Sequence, residues 1–134
     1  MFTRMNHPSV MSVGIDVGKT KLDVACVRVD RTTVHQVFSN TEDGITSLAK
    51  FLMQQRTAAT VPCVLESTGD YHLLTALMLS KRGYDVKCIN PLVTKKFMRA
   101  SVRNAKSDRI DCARLAEIGL LEPELPTFNE STQE

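Results

Sequence analysis

The sequence predicts a mixed α/β domain, a five-stranded sheet flanked by helices, and three observations carry that expectation. The chain opens with short β-branched or alternating runs separated by brief turns, which predicts an antiparallel meander. From Thr41 onward, apolar residues recur at helical spacing. Two later apolar strands are separated by a helix, which makes them a parallel, right-handed βαβ pair.

The first strand, residues 12–17, is an apolar run broken by Asp16, and Gly18-Lys19-Thr20 then turns the chain. Residues 22–29 alternate as a second strand, Asp30-Arg31 forms the next turn, and residues 33–38 make a third. Thr41 with Glu42 and Asp43 begins a helix whose Ile45, Leu48, Ala49 and Leu52 share one face. After Val61-Pro62, the run Cys63-Val64-Leu65 predicts a short buried strand delivering Glu66 at its carboxyl end. Ser67, Thr68 or Asp70 then caps a helix with Leu73, Leu74, Leu77 and Met78 toward the core, closed by Gly83. Residues 85–89 predict the fifth strand, and Asn90-Pro91 starts a basic helix to about Arg103. Ser107 caps a last helix to about Ile118, with Gly119 as its stop signal.

A length of 134 residues fits one domain. The expected layout is an extended or disordered N-terminus over 1–11, one domain over 12–119, and a tail or linker start over 120–134 that carries Pro123 and Pro126. An apolar content of 43% with 24% charged residues is that of a folded globular protein. No apolar run approaches the roughly 18 residues of a membrane span, and the first residues lack a secretory apolar core, so a cytoplasmic protein with no membrane partner is expected. Cys26, Cys63, Cys88 and Cys112 form no C-x-x-C pair and read as small buried hydrophobes. His7, His35 and His72 have no ligand spacing and read as structural or surface residues.

Four acids stand out. Asp16 interrupts an apolar strand, where a carboxylate is costly unless its charge is matched. Glu66 follows Val64-Leu65 at a strand's carboxyl end, where open α/β sheets place their ligands. Asp108 and Asp111 lie three apart on the last expected helix and share a face. Each alone has a plain structural role as cap or surface charge. Together they form an all-oxygen set suited to hard divalent cations, namely Mg2+ with Mn2+ as a substitute. Two ions roughly 3.5–4 Å apart serve phosphodiester cutting and joining. In that scheme Asp16 bridges both ions, Glu66 holds one, and Asp108 with Asp111 completes the other.

The net charge of +2 conceals an asymmetry. Residues 81–114 hold ten Lys or Arg against three Asp, a local balance of +7, whereas residues from 115 onward hold five Glu and no basic residue. Lys95, Lys96, Arg99, Arg103 and Lys106 are the candidate contacts to a nucleic-acid backbone. A solvated helix face is the competing explanation.

Three blocks in order, V-G-I-D-V-G-K-T-K-L-D-V-A, L-E-S-T-G-D-Y and N-A-K-S-D-R-I-D-C-A-R-L-A, resemble the N-terminal domain of the insertion sequence 110 family of transposases, which includes the pilin-gene inverting (Piv-type) recombinases. The resemblance covers residues 12 to about 128. It implies a ribonuclease-H-like (RuvC-like) fold, with the family's D-E-D-D set on Asp16, Glu66, Asp108 and Asp111. It also implies DNA as substrate, a structured guide RNA, and a longer, homo-oligomeric protein whose coiled coil and serine-bearing C-terminal domain lie beyond this sequence. By that reading the chain is a truncated protein or an excised domain, incomplete for strand exchange.

Other readings stay open at this level. A stand-alone Holliday-junction nuclease needs only one such domain. An actin-like or sugar-kinase ATPase would place phosphate on Gly18, Lys19 and Thr20, but needs a second related domain. An inert nucleic-acid-binding module would use the basic stretch without binding metal.

Overall fold

A computed structural model describes residues 8–67, 69–101 and 111–129. The elements run β1 (Val10–Val17), β2 (Lys21–Arg28), β3 (Thr33–Ser39), α1 (Glu42–Gln54), β4 (Pro62–Glu66), α2 (Leu73–Lys81), β5 (Asp85–Ile89), α3 (Pro91–Ser101) and α4 (Cys112–Leu121). The strands form one sheet in the order β3-β2-β1-β4-β5. The meander β1-β2-β3 is antiparallel, and β4 and β5 add in parallel beside β1. This is the mixed five-stranded α/β sheet that the ribonuclease-H-like resemblance implies.

Strand alternation sorts the side chains onto two faces. Val13, Ile15, Leu22, Val24, Cys26, Cys63, Leu65 and Val86 join Ile45, Leu48 and Leu52 of α1 and Ala76 and Leu79 of α2 in the larger core. On the other face, Val64 and Ile89 meet Leu115 and Ile118 of α4. Thr41 caps α1, its side chain accepting from Gly44 N at 3.0 Å. Gly83, at φ 94, follows the end of α2. Arg31 takes φ 75 in the β2–β3 turn, which is unusual for a residue with a Cβ.

α4 lies so close to β1 that only glycine fits at the crossing. A Cβ on Gly14 would stand 1.9 Å from the Cys112 carbonyl oxygen and 2.5 Å from Ala116 N. Gly119 answers from the helix, where a Cβ would meet Ser12 Oγ and Val64 Cγ2, each at 2.8 Å. Ser12 Oγ closes the contact by donating to the Ala116 carbonyl at 2.7 Å. Since Cys112 adjoins Gly14 while Gly119 adjoins Ser12 and Pro62, α4 runs antiparallel to β1 and its N-terminus lies toward the Asp16 end.

Several expectations need correction. The first strand starts at Val10, because a shift in register between Val10 and Ser12 lets pairing with β2 continue past Ser12. The second helix has His72 at its N-cap position without a side-chain cap; Leu73, Leu74 and Met78 do pack against the larger core as expected, and the fully buried residues are Thr75, Ala76 and Leu79. The last helix begins at Cys112 rather than near Ser107, and Gly119 is an interior packing residue rather than a stop signal. In the segment expected to be an irregular tail, Thr127 bridges Lys87 of β5, Phe128 N donates to the Val86 carbonyl at 2.7 Å, and the Phe128 ring enters the core.

Candidate functional site

The parallel pairing of β1 with β4 sets Val13 opposite Cys63, Gly14 opposite Val64 and Ile15 opposite Leu65. Asp16 and Glu66 follow at the next position of each strand, on the face that α4 covers. Both are half-buried at the carboxyl ends of adjacent central strands. Their neighbours are fixed as well: Asp16 lies opposite Asp23 on β2, and Glu66 opposite Ile89 on β5.

Asp23 is an acid that sequence reasoning passed over. In-register partners share a face, so it stands beside Asp16, and like charges directly opposite one another across a sheet repel. Its signal was present in the alternation of β2, where Asp23, Ala25 and Val27 point toward α4 while Leu22, Val24 and Cys26 enter the larger core.

Asp111 stands at the N-cap of α4 rather than inside the helix. It is extended, at φ −99 and ψ 175, and caps α4 with Oδ1 accepting from Arg114 N at 2.9 Å. An aspartate in this position satisfies an otherwise unpaired helix N–H, and this favours starting the helix after Asp111. Asp108 lies outside the described residues, as do Arg103 and Lys106. The Cys112 thiol reports the acidity of the surroundings. Its pKa is pushed up to about 11, first by burial and then by the negative charges of Asp111, Asp23 and Asp16.

The donors present are carboxylate oxygens, the chemistry that Mg2+ and Mn2+ select. Among the described residues, no three His, Cys, Asp or Glu side chains gather tightly enough to hold an ion by themselves. The half-buried carboxylates of Asp16 and Glu66 are of the type such ions take, and these two do not make up an ion site by themselves. The cysteines do not compete for this role: burial raises the pKa of Cys26 and Cys88 to about 12 and that of Cys63 higher still, which keeps them protonated.

α3 starts where β5 ends. Asn90 Oδ1 accepts from Leu92 N at 2.7 Å, and the buried Thr94 hydroxyl donates to Glu66 Oε2. Lys95 and Lys96 follow and are exposed, and Arg99 falls within the same helix. The basic helix thus begins at the acid site.

Residues 13–134 match the DEDD transposase family of insertion sequence 110, described as transposases. The chain belongs to this family. It is also 31% identical over 113 residues to the transposase for insertion sequence element IS1328 of Yersinia enterocolitica. That match covers 82% of this chain but 29% of the relative, so the chain spans under a third of that protein's length. Among the readings that the sequence left open, family membership favours the transposase over the kinase-like ATPase. No helix among the described residues is long and apolar enough to cross a membrane.

Proposed function

We propose that this chain is the catalytic domain of a metal-dependent DNA transposase, in which Asp16, Glu66, Asp108 and Asp111 hold Mg2+ for cutting and rejoining phosphodiesters. The observation that carries this reading is that Asp16 and Glu66 directly follow the paired Ile15 and Leu65 at the ends of adjacent parallel strands. Divalent cations held by these residues would supply charge neutralisation and activation of a hydroxyl nucleophile at the scissile phosphate.

The chain's own residues account for the rest. Asp16 comes from the central strand, flanked by β2 and β4, and is held in place by the pairing on both sides. Glu66 offers one oxygen to Thr94 and keeps the other for a cation. Asp111 uses Oδ1 as a helix cap, which fixes its carboxylate at the head of α4 while Oδ2 remains as a donor. Lys95 and Lys96 offset the acidic site and attract a polyanion to it. DNA is the substrate this reading requires. A structured guide RNA, homo-oligomeric assembly and a cytoplasmic location belong to the same proposal, for the longer protein.

Calorimetric titration with Mn2+ tests it. Asp16→Asn keeps the shape and removes the charge, so it should abolish or strongly weaken Mn2+ binding. Because Asp23 faces Asp16, the same change should raise the metal-free melting temperature. Mn2+ binding equal to that of the parent chain would exclude Asp16 as a ligand.

A further inference from the structure

We propose that Thr94 is a positioning residue for Glu66: its hydroxyl pins one carboxylate oxygen, leaves the other for the metal, and ties the basic helix α3 to the acidic site. The inference rests on the reading of Glu66 as a metal ligand.

A threonine hydroxyl inside a helix ordinarily returns its hydrogen to a carbonyl three or four residues back. Thr94 has that option, since Oγ1 lies 2.8 Å from the Pro91 carbonyl oxygen. It also contacts Glu66 Oε2. A hydroxyl has one hydrogen to give, and an ionised carboxylate only accepts. Opposite ionised Glu66 the hydrogen therefore goes to Oε2, where the bond is charge-assisted and stronger than one to a neutral carbonyl.

The surroundings make this contact a fixed one. Thr94 is 3% exposed, so water does not compete freely for its hydroxyl. Asn90 sets the start of α3 through Leu92 N, and Ser67 N, directly after Glu66, donates to the Ile89 carbonyl at 2.9 Å. Both residues are thus carried by backbone that is itself hydrogen-bonded to the end of β5. Glutamate places its carboxylate beyond three rotatable bonds, so a ligand of this type needs a second partner to hold its direction, and ligating carboxylates are commonly hydrogen-bonded in this way. Lys95 and Lys96 follow Thr94 and are exposed. A phosphate backbone seated on them would bear on the same turn of helix that orients Glu66.

The test is Mn2+ titration of the chain and three variants, with folding checked by circular dichroism. Thr94→Val keeps the branched shape and removes the hydroxyl, and should weaken Mn2+ binding about tenfold. Thr94→Ser restores the hydroxyl without the methyl group and should return the affinity toward that of the parent, an outcome that a purely packing role does not give. Glu66→Gln is the control for the site itself. If Glu66→Gln weakens binding but Thr94→Val does not, Thr94 has no positioning role and the metal site stands. Should Thr94→Ser lose as much affinity as Thr94→Val, packing is the cause and the proposal is overturned. If Glu66→Gln leaves Mn2+ affinity unchanged, the metal-centre reading itself fails, and this proposal with it. Where Thr94→Val does not fold, Thr94→Ala replaces it in the same comparison.

Discussion

His72 is 4% exposed, and both its ring nitrogens are buried. Burial lowers its pKa below the ordinary 6.5, with the Asp70 charge and then the Gly69 backbone favouring the protonated ring. The folded state therefore favours the neutral ring, and below about pH 6.5 the unfolded chain binds a proton that the folded chain resists. The contribution to stability is complete above the unfolded value and is lost as pH falls through it toward the folded one. The melting temperature of the metal-free chain should accordingly drop between about pH 7.5 and about pH 5.5, and His72→Phe should flatten that dependence. An equal drop in both proteins would assign the effect to other groups. His72 was legible in the sequence only as a structural or surface residue. Nothing local in the sequence marks its burial at the start of α2.

α3 joins two kinds of chemistry, since its first turn meets Glu66 through Thr94 while Lys95 and Lys96 face solvent. If these lysines contact phosphate, each releases condensed counterions when DNA binds. Replacing both by Ala should then reduce the steepness of log K against log salt on duplex DNA by about 1.8 units, roughly 0.9 per contact. Affinity should fall by a similar factor for unrelated sequences, because phosphate contacts position rather than specify. A slope unchanged in a folded double variant would make this helix a solvated face. The basic stretch was readable as a charge imbalance between Lys81 and Arg114. Its attachment to the acid site was not, because a helical threonine already has a local explanation in its bond to the preceding turn.

At the scale of the whole molecule, the segment after α4 closes the sheet. Thr127 bridges β5, Lys87 Nζ donates to Thr127 Oγ1 at 2.9 Å, and Phe128, 7% exposed, packs in the larger core. Covering β5 in this way blunts one sheet edge, whereas β3 at the other edge is largely exposed. Phe128→Ala should destabilise the domain by roughly 3 kcal/mol, read as a lower denaturant midpoint at unchanged slope. A midpoint equal to that of the parent would show that the segment adds no stability. Pro123 and Pro126 pointed to an irregular tail, and the backbone there is indeed neither helix nor regular strand. One aromatic residue in such a segment carries no periodicity from which docking could be read.

The sequence alone determined the strand meander, the parallel βα repeats and the standing of Asp16 and Glu66 as candidates. Each of these is a local property: period, turn chemistry, or an acid set in an apolar run. Tertiary structure decided which residues meet. Register put Asp16 opposite Asp23, and the pairing of Ile15 with Leu65 put Asp16 and Glu66 at neighbouring strand ends. The close crossing of α4 on β1 needed Gly14 and Gly119 together, and helix capping put Asp111 at the head of α4 rather than inside it. Thr94 reaches Glu66 because the pairing of β5 with β4 sets the start of α3 next to the end of β4. The physical reason is common to all of them: these contacts join residues far apart in the chain, and their geometry exists only after the sheet has paired and its faces have been covered.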